Sequence, residues 1–110
     1  KGKIGGMALR VPVPVGSITD LTAVVKKKTD VKKINEVFYK ASKGKLKGIL
    51  QYNEEPLVSS DLIGNSHSCI FNANDTKVNG NLVKVTAWYD NEFGYSSRVV
   101  DVVGMIRKFL

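Results

Sequence analysis

Leu82-Val83-Lys84-Val85-Thr86-Ala87-Trp88-Tyr89 leads through Asp90-Asn91-Glu92 into Phe93-Gly94-Tyr95-Ser96-Ser97-Arg98-Val99-Val100. The opening residues are β-branched and aromatic, which is strand composition. The period then changes. From about Asn91 to Phe109, the residues Tyr95, Val99, Val102, Val103 and Ile106 fall on one helical stripe. Arg107 and Lys108 follow near the end, where the helix dipole favours cations. A strand running directly into a long amphipathic helix is therefore predicted.

Working back from that junction, Asn79-Gly80-Asn81 is a hairpin signal, and Ile70-Phe71 reads as part of another strand before the turn-prone Asn72-Ala73-Asn74-Asp75. Leu46 to Tyr52 is a further predicted strand. Thr29 or Asp30 can cap a helix whose apolar positions Val31, Ile34, Val37, Phe38 and Ala41 keep the 3.6 period, with Lys40 and Lys43 in its last turn and Gly44 after it. Ile18 to Val25, rich in threonine and valine, predicts a strand covered on both faces. Met7 to Val15 alternates at strand period, with Pro12 and Pro14 confining it to an edge or a bulge. Strands outnumber helices and their connections are too short for repeated crossovers. The expected class is α+β, with a largely antiparallel or mixed sheet and a long C-terminal helix.

Composition bounds the rest. At 110 residues, 43% apolar and 25% charged, the chain holds one small domain or part of one and can pack a core. No apolar stretch approaches the roughly 20 residues that span a bilayer, which argues against a membrane protein. Lys1-Gly2-Lys3-Ile4 is neither an initiator methionine nor a signal peptide, so a cut inside a longer protein is expected. Cys69 is the only cysteine and His67 the only histidine, which leaves no disulfide and no metal cluster and points to a reducing, cytoplasmic home.

The net charge of +7 is uneven: residues 1–52 hold 12 basic and 3 acidic side chains, residues 53–110 hold 5 and 7. Nine lysines lie between Lys26 and Lys47, a pattern nucleic-acid binders use against phosphates. That stretch has no arginine, and its aromatics Phe38 and Tyr39 fall on the predicted helix, so a solvated helix face is the better reading and nucleic acid is not expected as a partner.

Chemistry has few places to reside. Neither common glycine-rich phosphate loop is present. His67-Ser68-Cys69 lacks a third orienting group and reads as structural, with no catalytic residue assigned. Arg10 is the only arginine before position 98 and stands beside stiffening prolines; bidentate capture of phosphate or carboxylate and an exposed or ion-paired arginine both remain open. At Trp88-Tyr89-Asp90-Asn91-Glu92-Phe93-Gly94-Tyr95 an amide side chain at a helix start could read a carboxamide. A capped turn with core aromatics explains the same residues, and residue chemistry alone favours it.

Five blocks taken in order alter that balance. Gly6-Met7-Ala8-Leu9-Arg10-Val11-Pro12-Val13-Pro14, Ser17-Ile18-Thr19-Asp20-Leu21-Thr22, Leu46-Lys47-Gly48-Ile49-Leu50, Val58-Ser59-Ser60-Asp61 and Trp88-Tyr89-Asp90-Asn91-Glu92-Phe93-Gly94-Tyr95-Ser96 resemble the phosphorylating glyceraldehyde-3-phosphate dehydrogenases almost end to end. The resemblance implies residues 1–110 as the C-terminal part of that family's catalytic domain, a sheet with helices on one face and a final helix that docks on a cofactor domain. It implies a glycolytic, cytoplasmic homotetramer converting glyceraldehyde 3-phosphate, inorganic phosphate and NAD to 1,3-bisphosphoglycerate and NADH through a cysteine thiohemiacetal. The family's nucleophilic cysteine, its activating histidine and its NAD-binding Rossmann domain lie upstream, so this chain alone is expected to be inactive. Arg10 matches the arginine that binds substrate phosphate. Asn91 matches the asparagine that orients the nicotinamide carboxamide, and Tyr95 a tyrosine close to that ring. The competing reading is a basic interaction module, or an antigenic fragment, without catalysis.

Overall fold

The computed structural model describes residues 2–109; Lys1, Leu110 and the side chain of Lys108, one of the two cations predicted to close the last helix, lie outside the described residues. Four strands, β1 (Ser17–Val24), β2 (Leu50–Asn53), β3 (Cys69–Asn79) and β4 (Leu82–Tyr89), accompany two helices, α1 (Val31–Lys43) and α2 (Phe93–Ile106). The sheet order is β1-β4-β3-β2. β1 and β3 are antiparallel to β4, while β2 runs parallel to β3, so the sheet is mixed and the class is α+β.

The α1 boundaries follow from its caps. Asp30 accepts a hydrogen bond from the Lys33 amide at 2.9 Å, and the Gly44 amide donates to the Ala41 carbonyl at 3.2 Å. Phe38 of α1 stacks on Phe71 of β3 with ring centroids 3.9 Å apart and planes 3° from parallel. Around that pair gather Leu50, Ala73, Ala41, Tyr52, Cys69 and Val85. Ile34, Phe38 and Ala41 thus face inward, while Val37, on the same predicted stripe, is exposed. Lys33 and Lys40 pair with Asp30 and Glu36 along the outer face of α1, and Lys43 lies over the Tyr39 ring. Lys32, Lys33, Lys40 and Lys43 of the lysine run lie exposed on α1, and Lys26, Lys27, Lys28, Lys45 and Lys47 lie exposed outside it.

β3 is longer than predicted. The turn-prone Asn72-Ala73-Asn74-Asp75 lies inside the strand, where the register against β4 shifts between Asn72 and Lys77. Side chains replace the missing ladder at this bulge. Asn35 of α1 donates to the Ala73 carbonyl at 3.1 Å and accepts from the Thr76 hydroxyl at 2.7 Å. Asp75 accepts from Asn72 at 2.8 Å and from Thr86 at 2.7 Å. The β3–β4 hairpin closes at Gly80-Asn81, with Asn79 facing Leu82 and Gly80 at φ +63°, a value that glycine adopts without steric cost.

Three strand expectations are corrected. Leu46 to Ile49 spend their backbone bonds on turns (Leu46 amide to the Ala41 carbonyl, Leu50 amide to the Leu46 carbonyl), which delays β2 to Leu50. β1 pairs only with β4 among the described residues, and most of it is exposed rather than covered on both faces. Met7 to Val15 forms no strand: the segment is exposed up to Pro14, with Leu9 at 77%, and joins no ladder. Pro12 and Pro14 carry no N–H to donate, and alternation alone supplies no partner strand.

Candidate functional site

The junction between β4 and α2 is built around Asp90, a residue only 3% exposed. One carboxylate oxygen accepts from the amides of Glu92 (3.0 Å) and Phe93 (2.8 Å), which would otherwise be unsatisfied at the helix start. The other oxygen accepts from the Gly64 amide at 2.9 Å, tying the 59–66 loop to the same point. These bonds, the one from Phe93 foremost and then Gly64, hold the Asp90 carboxyl below the usual carboxylate range against the opposing effect of burial.

Two further contacts fix α2. A Cβ placed on Gly94 would lie 3.0 Å from the His67 carbonyl oxygen, so the helix approaches the chain before β3 as closely as glycine allows. Arg98 reaches the Ser68 hydroxyl at 3.3 Å and the Gly48 carbonyl at 3.4 Å, and pairs with Asp101 at 2.7 Å. Beyond these first turns the helix is open: Tyr95, Val99, Val102, Val103 and Ile106, the predicted apolar stripe, are all exposed.

Asn91 stands between the Asp90 hub and α2, exposed, with its side-chain oxygen turned back to the chain. Oδ1 accepts from the Gly16 amide at 3.2 Å and lies 3.5 Å from the Ser17 hydroxyl, the outer edge of hydrogen-bond distance. Tyr95 follows one helical turn later and is 71% exposed. An open concavity of about 320 Å³ beside this junction is lined by Val15, Ile63, Gly64, Asp90, Glu92, Phe93 and Ser96.

Of the three residues singled out by sequence, Asn91 and Tyr95 are brought to one helix start. Arg10 is not in that group: it belongs to the exposed segment upstream of Gly16. Six residues of extended chain span at most about 20 Å, so the Gly16 contact bounds how far the Arg10 backbone lies from the junction. Residue patterns missed the Gly16 amide, the Ser17 hydroxyl and the Gly64 amide as partners of this turn, because nothing local links positions so distant in the chain. The Asp90 cap was legible from its place before the helix.

Cys69 opens β3, half-buried, and burial pushes its thiol up, away from the thiolate a nucleophile requires. His67 Nδ1 lies 2.9 Å from Asn65 Oδ1, which also accepts from the His67 amide. Among the described residues no cluster of three or more metal-ligating side chains occurs, and no helix is long and apolar enough to cross a membrane.

The family model described as "Glyceraldehyde 3-phosphate dehydrogenase, C-terminal domain" matches residues 1–91. The glyceraldehyde-3-phosphate dehydrogenases of Mycobacterium avium and Mycobacterium leprae are each 54% identical over 110 residues, covering 100% of this chain and 32% of their own length. Glyceraldehyde-3-phosphate dehydrogenase 1 of Streptomyces avermitilis is 47% identical over 106 residues, 96% of this chain and 32% of its own. The chain thus spans about a third of the length of these relatives and aligns through α2, beyond the last residue of the family-model match. With the family model, the identities and the mixed α+β sheet in agreement, this chain belongs to the glyceraldehyde 3-phosphate dehydrogenase family, as part of its C-terminal domain.

Proposed function

We propose that residues 1–110 are the C-terminal part of the catalytic domain of an NAD-dependent, phosphorylating glyceraldehyde-3-phosphate dehydrogenase, contributing substrate-phosphate and nicotinamide contacts. The reaction is the oxidation of glyceraldehyde 3-phosphate with inorganic phosphate to 1,3-bisphosphoglycerate. NAD, when bound, takes up the hydride. The dinucleotide-binding domain, the nucleophilic cysteine and its activating histidine belong to other segments of the enzyme, a cytoplasmic homotetramer of glycolysis. The 110-residue chain by itself is inactive, consistent with the half-buried, high-pKa thiol of Cys69.

The observation that carries this reading is the exposed amide of Asn91, held at the start of α2 by the Asp90 cap and by Gly16. A carboxamide needs a neighbour able to donate or accept at a fixed position, and a side chain anchored on both its backbone and its oxygen meets that need. Tyr95, one turn along the same helix and largely exposed, offers an aromatic ring beside it. Arg10 supplies the guanidinium for the substrate phosphate, a charge-assisted contact that lysine reproduces less well. The side chains at this helix start fit the polar and ring surfaces of a nicotinamide.

In the full-length enzyme, Asn91→Ala removes one neutral hydrogen bond to the cofactor, so NAD affinity falls about 2- to 12-fold, with slower hydride transfer at saturation. An unchanged NAD dissociation constant and rate in a folded variant contradict the assignment.

A further inference from the structure

Seven of the chain's eight asparagines engage a side-chain atom in a hydrogen bond, from Asn35 on the Ala73 carbonyl to Asn81 on the Val25 carbonyl. Asn79 is exposed and is the one asparagine that makes no such bond among the described residues. It is also the only asparagine followed by glycine. That neighbour, Gly80, takes φ +63° at the first position of the turn between Asn79 and Leu82. A side chain would be strained there, so the turn selects glycine. A Cβ built on Gly80 meets nothing within 4 Å, and the Gly80 amide makes no hydrogen bond among the described residues. The requirement that puts glycine in this turn therefore leaves its nitrogen uncovered beside an unanchored carboxamide.

We propose that Asn79-Gly80 is a modification site, at which the Gly80 nitrogen converts Asn79 spontaneously to aspartate and isoaspartate. The Gly80 amide loses its proton to hydroxide and attacks Asn79 Cγ; an N–Cγ bond forms, the Cγ–Nδ2 bond breaks, and ammonia leaves with a proton from water. Water then opens the cyclic imide. Opening at Cγ gives aspartate, and opening at the Asn79 backbone carbonyl gives isoaspartate. The sum is asparagine and water to a carboxylic acid and ammonia, with nothing oxidised or reduced. A side chain on the following residue hinders the attack, and glycine has none. Ring closure turns Asn79 out of its extended conformation, so it proceeds as the hairpin end frays. Isoaspartate carries the main chain through Cβ and Cγ, an extra backbone atom where Asn79 pairs with Leu82. The same tip receives the Thr29 amide on the Gly80 carbonyl at 3.1 Å and the Val25 amide on the Asn81 carbonyl at 2.8 Å. These bonds join the hairpin to the chain entering α1, and the extra atom displaces them.

The experiment holds the folded full-length enzyme for days in warm, mildly alkaline buffer and maps its tryptic peptides by mass spectrometry. Isoaspartate is read separately, by methyl transfer from S-adenosylmethionine to its free α-carboxylate with an isoaspartyl methyltransferase. Asn79 is expected to be modified at least about tenfold more than any of the seven anchored asparagines, since it alone joins an unbonded side chain to a glycine. Asn79→Gln, which would need a larger ring to close, should abolish methylation of the peptide 78–84. Hydrogen exchange at the Val25 and Thr29 amides should be about 2- to 12-fold faster in the modified enzyme than in fresh enzyme, the loss of one hydrogen bond at each. An Asn79 that reacts no faster than the anchored asparagines, or only after the enzyme is unfolded in urea, overturns the proposal. Modification that leaves exchange at Val25 and Thr29 unmoved overturns the displacement of those contacts.

Discussion

The turn that carries Asn91 and the segment that carries Arg10 are connected through Gly16, yet they are held in different ways. At the Asn91 turn a buried carboxylate takes three backbone amides, a glycine approaches a carbonyl as closely as a helix can, and an arginine bonds two points outside its own helix. The Arg10 segment has alternating apolar residues but no ladder; Ile4 is 99% exposed and Leu9 77%. Both are rich in the residue types expected of a site. What separates them is the supply of backbone partners: the first region finds its donors and acceptors within this chain, while prolines deny the second the bonds that would order it. The Asn91 amide is therefore held in place within this chain, whereas the Arg10 segment is exposed and joins no ladder among the described residues.

The largest effect expected is at the centre of the ordered region. Phe71 is fully buried and stacked on Phe38, so Phe71→Ala costs about 3–5 kcal/mol. Leu9→Ala in the 110-residue chain changes stability by no more than about 0.5 kcal/mol, since that side chain is already in water. Chemical denaturation followed by Trp88 fluorescence measures both, and equal costs would erase the distinction. A smaller contrast is available on α2 alone. Gly94→Ala places a Cβ 3.0 Å from the His67 carbonyl and should cost about 1–3 kcal/mol, whereas Gly104→Ala meets open space and should stabilise the helix by about 0.5–1 kcal/mol. Destabilisation of similar size at both positions would mean that the α2 start is not seated on the chain before β3.

The smallest effect is a pH dependence. The folded pKa of Asp90 is depressed, so the stabilisation it provides is fully present above the unfolded value of about 3.9 and is lost as pH falls through the lower folded value. Asp90→Asn should therefore differ most from wild type near pH 6, with the gap in denaturation midpoint narrowing toward pH 3. A gap that is constant across that range would show that the carboxylate charge does not hold the turn.

How much was legible follows the same division. α1 could be read almost residue by residue, since Asp30, the 3.6 period and Gly44 are all local signals. Gly80 likewise announced its hairpin. The Asn72–Asp75 stretch was misread as a turn because the groups that satisfy it, Asn35 and Thr86, are distant in sequence. Met7 to Val15 was misread as a strand because alternation reports a face to be buried, not a partner to pair with. For the site, residue types single out Asn91 and Arg10 as candidates and the family resemblance adds Tyr95, but the Gly16 and Gly64 amides that organise the turn come from long-range pairings no local pattern encodes.

The most direct test of the account sets the two regions against each other in the full-length enzyme, by measuring NAD affinity, and kcat/KM for glyceraldehyde 3-phosphate and for glyceraldehyde, in Arg10→Leu and Asn91→Ala. The predicted result is a crossed pattern. Arg10→Leu should lower kcat/KM for the phosphorylated substrate at least about tenfold, leaving NAD affinity and the unphosphorylated substrate near normal. Asn91→Ala should weaken NAD and slow both substrates in the same proportion. If the two variants depress all three quantities alike, Arg10 and Asn91 act only on the fold, and neither reads the ligand assigned to it.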